Sequence, residues 1–274
     1  MTPSTPSPRD TLVLVHGYLG YGDAPWGLAL PDRLAYFRGV EAALRAAGHH
    51  VVVAQLPPQA RVAQRAEALA RLLADGQACP GERLHLIAHS MGGLDALHAL
   101  HHHREATARV QGVASLGTPF RGTPMADLLT GQGVNLPGPL AQLQAMSLLP
   151  LGGALQDLST AGASALTAAS PLNLRVRWIT VTGRDAATQD EDTLFKAMAR
   201  LPVFRHQPND GLVPLASCRL QGAQMALDWP ADHAQLAGWT LWFRALPLQL
   251  GPALGPTEDH LRRYRELAAL MVRD

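Results

Sequence analysis

The chain is 274 residues long, 47% apolar and 16% charged, with a formal net charge of +1. That length and apolar content suit one large domain with a substantial core and exclude a disordered chain. A charge so near zero leaves no electrostatic basis for nucleic-acid binding.

Residues 1–10 (MTPSTPSPRD) are rich in Pro, Ser and Thr. They read as a disordered tail, with neither the basic nor the apolar region of a secretory signal. No apolar run is long enough to span a bilayer. Cys79 and Cys218 are too few for a disulfide framework. These features predict a cytoplasmic location, no integral membrane segment, and a single domain over 11–274.

TLVLVHG (11–17) is a short aliphatic run ending at a Gly turn, which predicts a buried strand. Residues 32–47 carry helical apolar spacing up to Gly48. HHVVVAQLP (49–57) is a second strand, residues 60–75 a helix, and RLHLIAHS (83–90) a third strand that runs into the helical segment GGLDALHALHHH. RVQGVASLGTP (109–119) and VRWITVTG (176–183) are further strands, and QMALDWP (224–230) is a weaker sixth. The final segment, TEDHLRRYRELAALMVRD, is an amphipathic helix with Thr257 as its N-cap. Apolar strands separated by helices predict an α/β fold: a mostly parallel sheet of about six strands, covered on both faces, with function at the carboxyl ends of the strands. Residues 124–170 break this rhythm with Gly, Pro, Leu and Ser and are expected to form a lid-like insertion.

Leu86-Ile87-Ala88-His89-Ser90-Met91-Gly92-Gly93 places a serine where a buried strand turns sharply into a helix. Such a turn strains the serine backbone and projects its hydroxyl above the sheet. Small residues are required two positions before and after, here Ala88 and Gly92, because strand and helix nearly touch. Ser90 is therefore the candidate nucleophile, and the N-terminus of the following helix favours negative charge beside it. Acyl transfer also needs two backbone N–H groups aimed at the tetrahedral oxygen. The residue after the nucleophile, Met91, supplies one, and the loop after the first strand, His16-Gly17-Tyr18-Leu19-Gly20, supplies the other through Tyr18. His16 reads as a structural brace of that loop.

A nucleophile on such an elbow is followed along the chain first by its acid and then by its base. His233 lies in the loop WPADHAQL after a strand-like run, where a base belongs. His260, among Asp259, Arg262 and Arg263, reads as solvated. The acid is either Asp210, in the tight turn NDGLVP, or Asp185, directly after a strand; topology leaves both open. His206 and Asp232 read as polar loop residues.

Several of these segments together resemble the bacterial true lipases of the Pseudomonas and Burkholderia type, within the α/β-hydrolase superfamily. They are LVLVHGYLGY, Phe37-Arg38-Gly39-Val40, LHLIAHSMGG, SLGTPFRGTPMAD and NDGLVP. The resemblance spans roughly residues 11–240. It implies Ser90, Asp210 and His233 as the triad, with Asp210 preferred to Asp185, and Tyr18 and Met91 as oxyanion donors. It also implies an ester or lipid substrate and a lid over an apolar acyl site that makes transient contact with a lipid interface. Three departures stand out. Gln235 occupies the position where many members place a calcium-binding Asp, leaving only Asp190 or Asp192 as a carboxylate, so no metal is expected. Cys218 lies near one half of the disulfide found in some members, but Cys79 precedes the nucleophile and does not match the other half, and the signal peptide of secreted members is not seen.

His98, His101, His102 and His103 lie on one helix and read as a solvated helix end, not a metal site. Trp229, Trp239, Trp242 and Phe243 read as core packing. The sequence thus predicts a carboxylic ester hydrolase without cofactors. Its competitors are an acyltransferase using the same triad and a non-catalytic binding protein on the same fold.

Overall fold

The computed structural model describes residues 9–21, 35–131, 153–188, 193–241 and 257–273. Six strands form one all-parallel sheet: β1 (Asp10–Val15), β2 (His50–Val53), β3 (Arg83–His89), β4 (Val110–Leu116), β5 (Arg177–Thr182) and β6 (Met225–Asp228). Their spatial order is β2-β1-β3-β4-β5-β6. The direction of winding reverses between β1 and β3, which opens a crevice at their carboxyl ends.

The strands read as unbroken apolar runs because both faces are covered. Val13 and Val15 of β1 join Leu84, Leu86 and Ala88 of β3 in a core beneath α2 (Val62–Ala74) and α3 (Met91–His102). Leu12, Leu14 and Ile87 point to the other face. There they meet Leu44 of α1 (Val40–Ala46) and, from the C-terminal helix Glu258–Met271, Tyr264 and Leu267. The weaker sixth run is an edge strand, half-buried on alternate residues only.

Three expectations are corrected. The first helix begins at Val40, well inside the predicted 32–47, because Gly39 takes a left-handed backbone (φ 70°) that no helix continues through, and Tyr36 lies in a bend. Residues 32–34 lie outside the described residues. The first strand begins at Asp10, one residue inside the predicted tail, where the Asp10 carboxylate bonds Arg83 Nε and Nη2, each at 2.8 Å, and His85 Nε2 at 2.9 Å. His260 is buried, although its neighbours Asp259, Arg262 and Arg263 are charged. Thr257 caps this helix as predicted, accepting from His260 N at 3.1 Å. That start turns His260 onto the stripe it shares with Tyr264, Leu267 and Ala268, against Trp229.

The segment 124–170 contains three short helices among its described residues: α4 (Pro124–Leu129), α5 (Ala154–Leu158) and α6 (Thr160–Ala169). Asp127 of α4 accepts from Thr160 N (2.8 Å) and its hydroxyl (2.6 Å). Asp157 of α5 accepts from Val62 N at 2.7 Å, capping α2 from far along the chain where Arg61 gives no such oxygen. The central residues 132–152 of the segment expected to form a lid lie outside the described residues.

Two outcomes are expected. Arg65 and Asp95 form a fully buried ion pair through Asp95 Oδ2 at 2.8 Å, and Asp95 Oδ1 has no hydrogen-bond partner among the described residues. Arg65→Met strands that carboxylate and lowers unfolding free energy in urea by about 3–5 kcal/mol. Burial holds His260 down to about 4, from an ordinary 6.5. The unfolded chain therefore binds the extra proton first as pH falls, and stability from this site is lost between those two values. His260→Phe removes that loss, so wild type falls relative to the variant by about 3 kcal/mol between pH 7 and 4, read from paired denaturation curves.

Candidate active site

The turn from β3 into α3 carries Ser90 at φ 55° and ψ −126°, a region that non-glycine residues rarely occupy. Its N–H donates to Leu116 O of β4 at 2.8 Å, which holds the bend in place. Gly92 is required by crowding: a Cβ there would lie 2.6 Å from Val15 O. Ala88, where the pattern usually has Gly, is fully buried in the sheet and fits with its single methyl.

The loop after β1 runs directly over the nucleophile. A Cβ on Gly17 would lie 2.8 Å from Ser90 Cβ and 2.9 Å from Tyr36 Oη. His16 braces this loop, as expected from the sequence. Its Nδ1 pairs with Gly17 O at 2.9 Å and its Nε2 accepts from Leu56 N at 3.1 Å, so the proton must sit on Nδ1. Burial, with Arg65 nearby, holds His16 down to about 4 and hence neutral. Arg65 adds a bond from Nη2 to His16 O (2.7 Å) and one from Nη1 to Pro57 O (2.9 Å), and Leu19 N donates to Pro58 O at 2.9 Å. Tyr18 follows Gly17 in this loop. Met91, the first residue of α3, has no carbonyl four residues earlier in the helix for its N–H to bond.

Asp210 sits in a turn shaped by its own carboxylate. Oδ1 accepts from Leu212 N (3.0 Å) and Val213 N (2.7 Å), while Gly211 supplies φ 95°. Oδ2 is left for His233 Nδ1, at 2.8 Å. A carboxylate only accepts, so Nδ1 carries the proton and Nε2 is free to accept from the Ser90 hydroxyl, at 3.1 Å. The backbones are tied as well, His233 N donating to Asp210 O at 2.9 Å. Asp210, His233 and Ser90 are all buried. Gly117, at φ 58°, leaves room for the pair: its Cβ would lie 3.2 Å from both Asp210 Oδ2 and His233 Nδ1.

Asp185 stands elsewhere, accepting from Asn209 N at 3.3 Å and so supporting the acid turn from outside. His206 is exposed. Asp232 lies in the loop, as expected, but is fully buried there, and burial pushes its carboxyl up to about 6. It exchanges bonds with Gln235: Gln235 N donates to Asp232 Oδ1 and Asp232 N to Gln235 Oε1, both at 2.8 Å. Gln235 thus closes the base loop, the role its side chain takes at the position compared with a calcium ligand. Asp190 and Asp192 lie outside the described residues. No group of three or more His, Cys, Asp or Glu able to hold a metal occurs among the described residues. His98 and His102 stack with ring centroids 4.1 Å apart beside Ser170. Cys79 and Cys218 are buried and unpaired. Trp229 is buried, Trp239 is half-buried beneath the Arg38 guanidinium, and Trp242 and Phe243 lie outside the described residues. A cavity of about 730 Å³ lies beyond the acid turn, between Arg121, Phe204 and Pro214, and is not lined by Ser90, Asp210 or His233.

Sequence reasoning missed two residues that touch this site. His89 Nε2 meets His233 O at 3.0 Å and its Nδ1 meets Tyr36 Oη at 2.7 Å; Tyr36 Oη also accepts from Gly17 N at 3.1 Å. His89 could have been suspected from its place beside Ser90, but nothing local marks Tyr36.

The chain is 27% identical over 263 residues to a triacylglycerol lipase of Vibrio cholerae, across 82% of this chain and 78% of that protein. Among solved structures, the mature lipase of Bacillus licheniformis superposes with a TM-score of 0.64 at 23% identity, over 85% of this chain and 87% of the other. A metagenomic carboxyl esterase gives 0.68 at 19%, over 98% and 79%. The Staphylococcus hyicus lipase gives 0.62 at 16%, over 98% and 96%. These likenesses show the α/β-hydrolase fold. The model of the conditioned medium factor C-terminal domain family matches residues 58–229, more than half of the chain and including Ser90 and Asp210. The chain belongs to the conditioned medium factor C-terminal domain family and carries its match on a lipase-like α/β-hydrolase fold.

Proposed function

We propose that this chain is a carboxylic ester hydrolase, acting on acylglycerols among other esters through an acyl-enzyme on Ser90. The observation that carries the reading is the hydrogen-bonded series Asp210–His233–Ser90, at 2.8 and 3.1 Å, built on a strained bend at the carboxyl end of β3. Ser90 Oγ attacks the ester carbonyl as His233 Nε2 takes its proton. Asp210 stabilises the imidazolium, and the N–H groups of Tyr18 and Met91 receive the oxyanion. The tetrahedral species collapses, His233 gives its proton to the departing alcohol, and a water activated by the same imidazole releases the acid.

The relationship to a Vibrio cholerae triacylglycerol lipase supports an acylglycerol as substrate. The segments LVLVHGYLGY, LHLIAHSMGG and NDGLVP support a kinship with the Pseudomonas and Burkholderia lipases in particular. Two buried, unpaired cysteines support action in a reducing compartment, the cytoplasm. No helix among the described residues is long and apolar enough to cross a membrane.

Ser90→Ala is expected to abolish fluorophosphonate labelling and lower kcat on p-nitrophenyl butyrate by about 10⁶. Asp210→Asn, which leaves His233 without its orienting acceptor, lowers it by about 10⁴. Wild-type turnover in Ser90→Ala would overturn the reading. Across p-nitrophenyl esters from short to long acyl chains, a rate that climbs once the substrate forms an interface marks a lipase. Turnover confined to the short chains removes acylglycerols from the proposal.

A further inference from the structure

The directions of the three hydrogen bonds around His89 are determined by chemistry. The carbonyl of His233 can only accept, so His89 Nε2 must carry the proton in the 3.0 Å bond between them. A neutral imidazole then leaves Nδ1 as an acceptor, and Tyr36 O–H must donate to it across 2.7 Å. The Tyr36 oxygen, with its own proton committed, accepts from Gly17 N at 3.1 Å. One continuous series therefore runs from the loop after β1, through Tyr36 and His89, to the backbone of the base loop. Burial, together with the nearby His233, holds His89 well below the ordinary histidine range, and burial pushes the Tyr36 hydroxyl up to about 12. Both groups are thus neutral near pH 7, the condition under which this single pattern of protons exists.

The two ends of the series are the two loops that must be placed against Ser90. Gly17 lies against the nucleophile, and the residue after it is the candidate oxyanion donor Tyr18. At the other end is the carbonyl of the residue whose ring meets Ser90 Oγ. The link is independent of Asp210, which holds His233 from the opposite side through Nδ1 and the backbone N–H. It is anchored again behind Tyr36, whose carbonyl accepts from Trp239 Nε1 at 2.9 Å, on the chain just beyond the base loop.

We propose that His89 and Tyr36 are positioning residues, forming a relay that holds the oxyanion loop and the base loop in register about Ser90. The proposal rests on the hydrolase reading above. Removing the Tyr36 hydroxyl strands Gly17 N–H and His89 Nδ1 together and lets both loops move relative to the nucleophile. A donor that shifts by a fraction of an ångström still permits ester binding, yet it stabilises the tetrahedral oxygen less.

The test compares Tyr36→Phe, His89→Leu, His89→Gln and the Tyr36→Phe/His89→Leu double variant with wild type and Ser90→Ala. The readouts are kcat and KM on p-nitrophenyl butyrate, affinity for a trifluoromethyl ketone that forms a tetrahedral adduct, and the unfolding midpoint. Tyr36→Phe is expected to lower kcat about tenfold, less than deletion of a direct oxyanion donor, and to weaken the ketone by a similar factor, with KM changed by less than about twofold. His89→Gln, whose amide keeps one donor and one acceptor, recovers most of what His89→Leu loses. The double variant loses no more than His89→Leu alone, because the two residues act as one unit. Unchanged kcat and ketone affinity in Tyr36→Phe, or losses that multiply in the double variant, overturn the relay. If Tyr36→Phe does not fold, equal kcat in His89→Gln and His89→Leu overturns it instead. In each case loss of activity in Ser90→Ala keeps the hydrolase reading standing, whereas activity retained there removes that reading itself.

Discussion

Strand β1, its following loop and the turn from β3 into α3 pack so closely that no side chain fits between them, and the rest of the site is arranged around that contact. A Cβ on Gly92 would press on Val15 O, and one on Gly17 would press on Ser90 Cβ. The serine pays for the close approach with a backbone conformation it would not adopt in isolation. What it gains is a hydroxyl raised above the sheet, flanked on one side by the start of a helix and on the other by the loop after β1. Neither flank could come so near a larger side chain, which is why small residues bracket the bend.

Holding strained backbone in place requires that its surroundings have few alternatives. Arg65 supplies much of this constraint. Fully buried, it bonds Asp95, the carbonyl of His16 and the carbonyl of Pro57, so one guanidinium ties α2, α3 and the loop after β1 together. Its worth lies mainly in the cost of the unpaired charge left by its absence. Burial pushes the Asp95 carboxyl up to about 6, with Arg65 opposing that rise, and near pH 7 the pair remains ionic. His16 and His89 are neutral for the same physical reason, desolvation, and each has a tautomer dictated by a carbonyl partner. Around Ser90 the protein has converted titratable side chains into fixed donors and acceptors.

Such preorganisation matters for the proposed chemistry because the transition state gains charge at two points, the imidazole and the oxyanion, in the same instant. Dipoles already in place need not reorganise as that charge appears. The acid turn shows the economy of the design. Asp210 uses one oxygen to shape its own loop and the other to orient His233. Gln235 then closes the base loop against Asp232 with two reciprocal bonds.

The chain's apolar periodicity determined the parallel sheet and its helices, and the string from Ala88 to Gly92 determined where a nucleophile elbow would stand, because both depend on spacing along the backbone. The acid turn at Asn209–Pro214 was equally legible as a turn. Spacing alone left Asp210 and Asp185 both open, since both follow apolar segments; only the resemblance to the lipases preferred Asp210, and the contact itself exists only in the fold, where Gly117 and Gly183 pack closely against Asp210 while its carboxylate meets His233. His260 was misread because charged neighbours on a helix say nothing of which face turns inward; that depended on Trp229 and Tyr264 waiting across the interface. Tyr36 was invisible for a related reason. It sits where a helix was expected, and its hydroxyl acquires meaning only when Gly17 and His89, distant in sequence on either side of it, arrive within hydrogen-bonding reach. Local spacing writes the elements into the sequence, whereas contacts between remote side chains exist only once the chain has closed on itself.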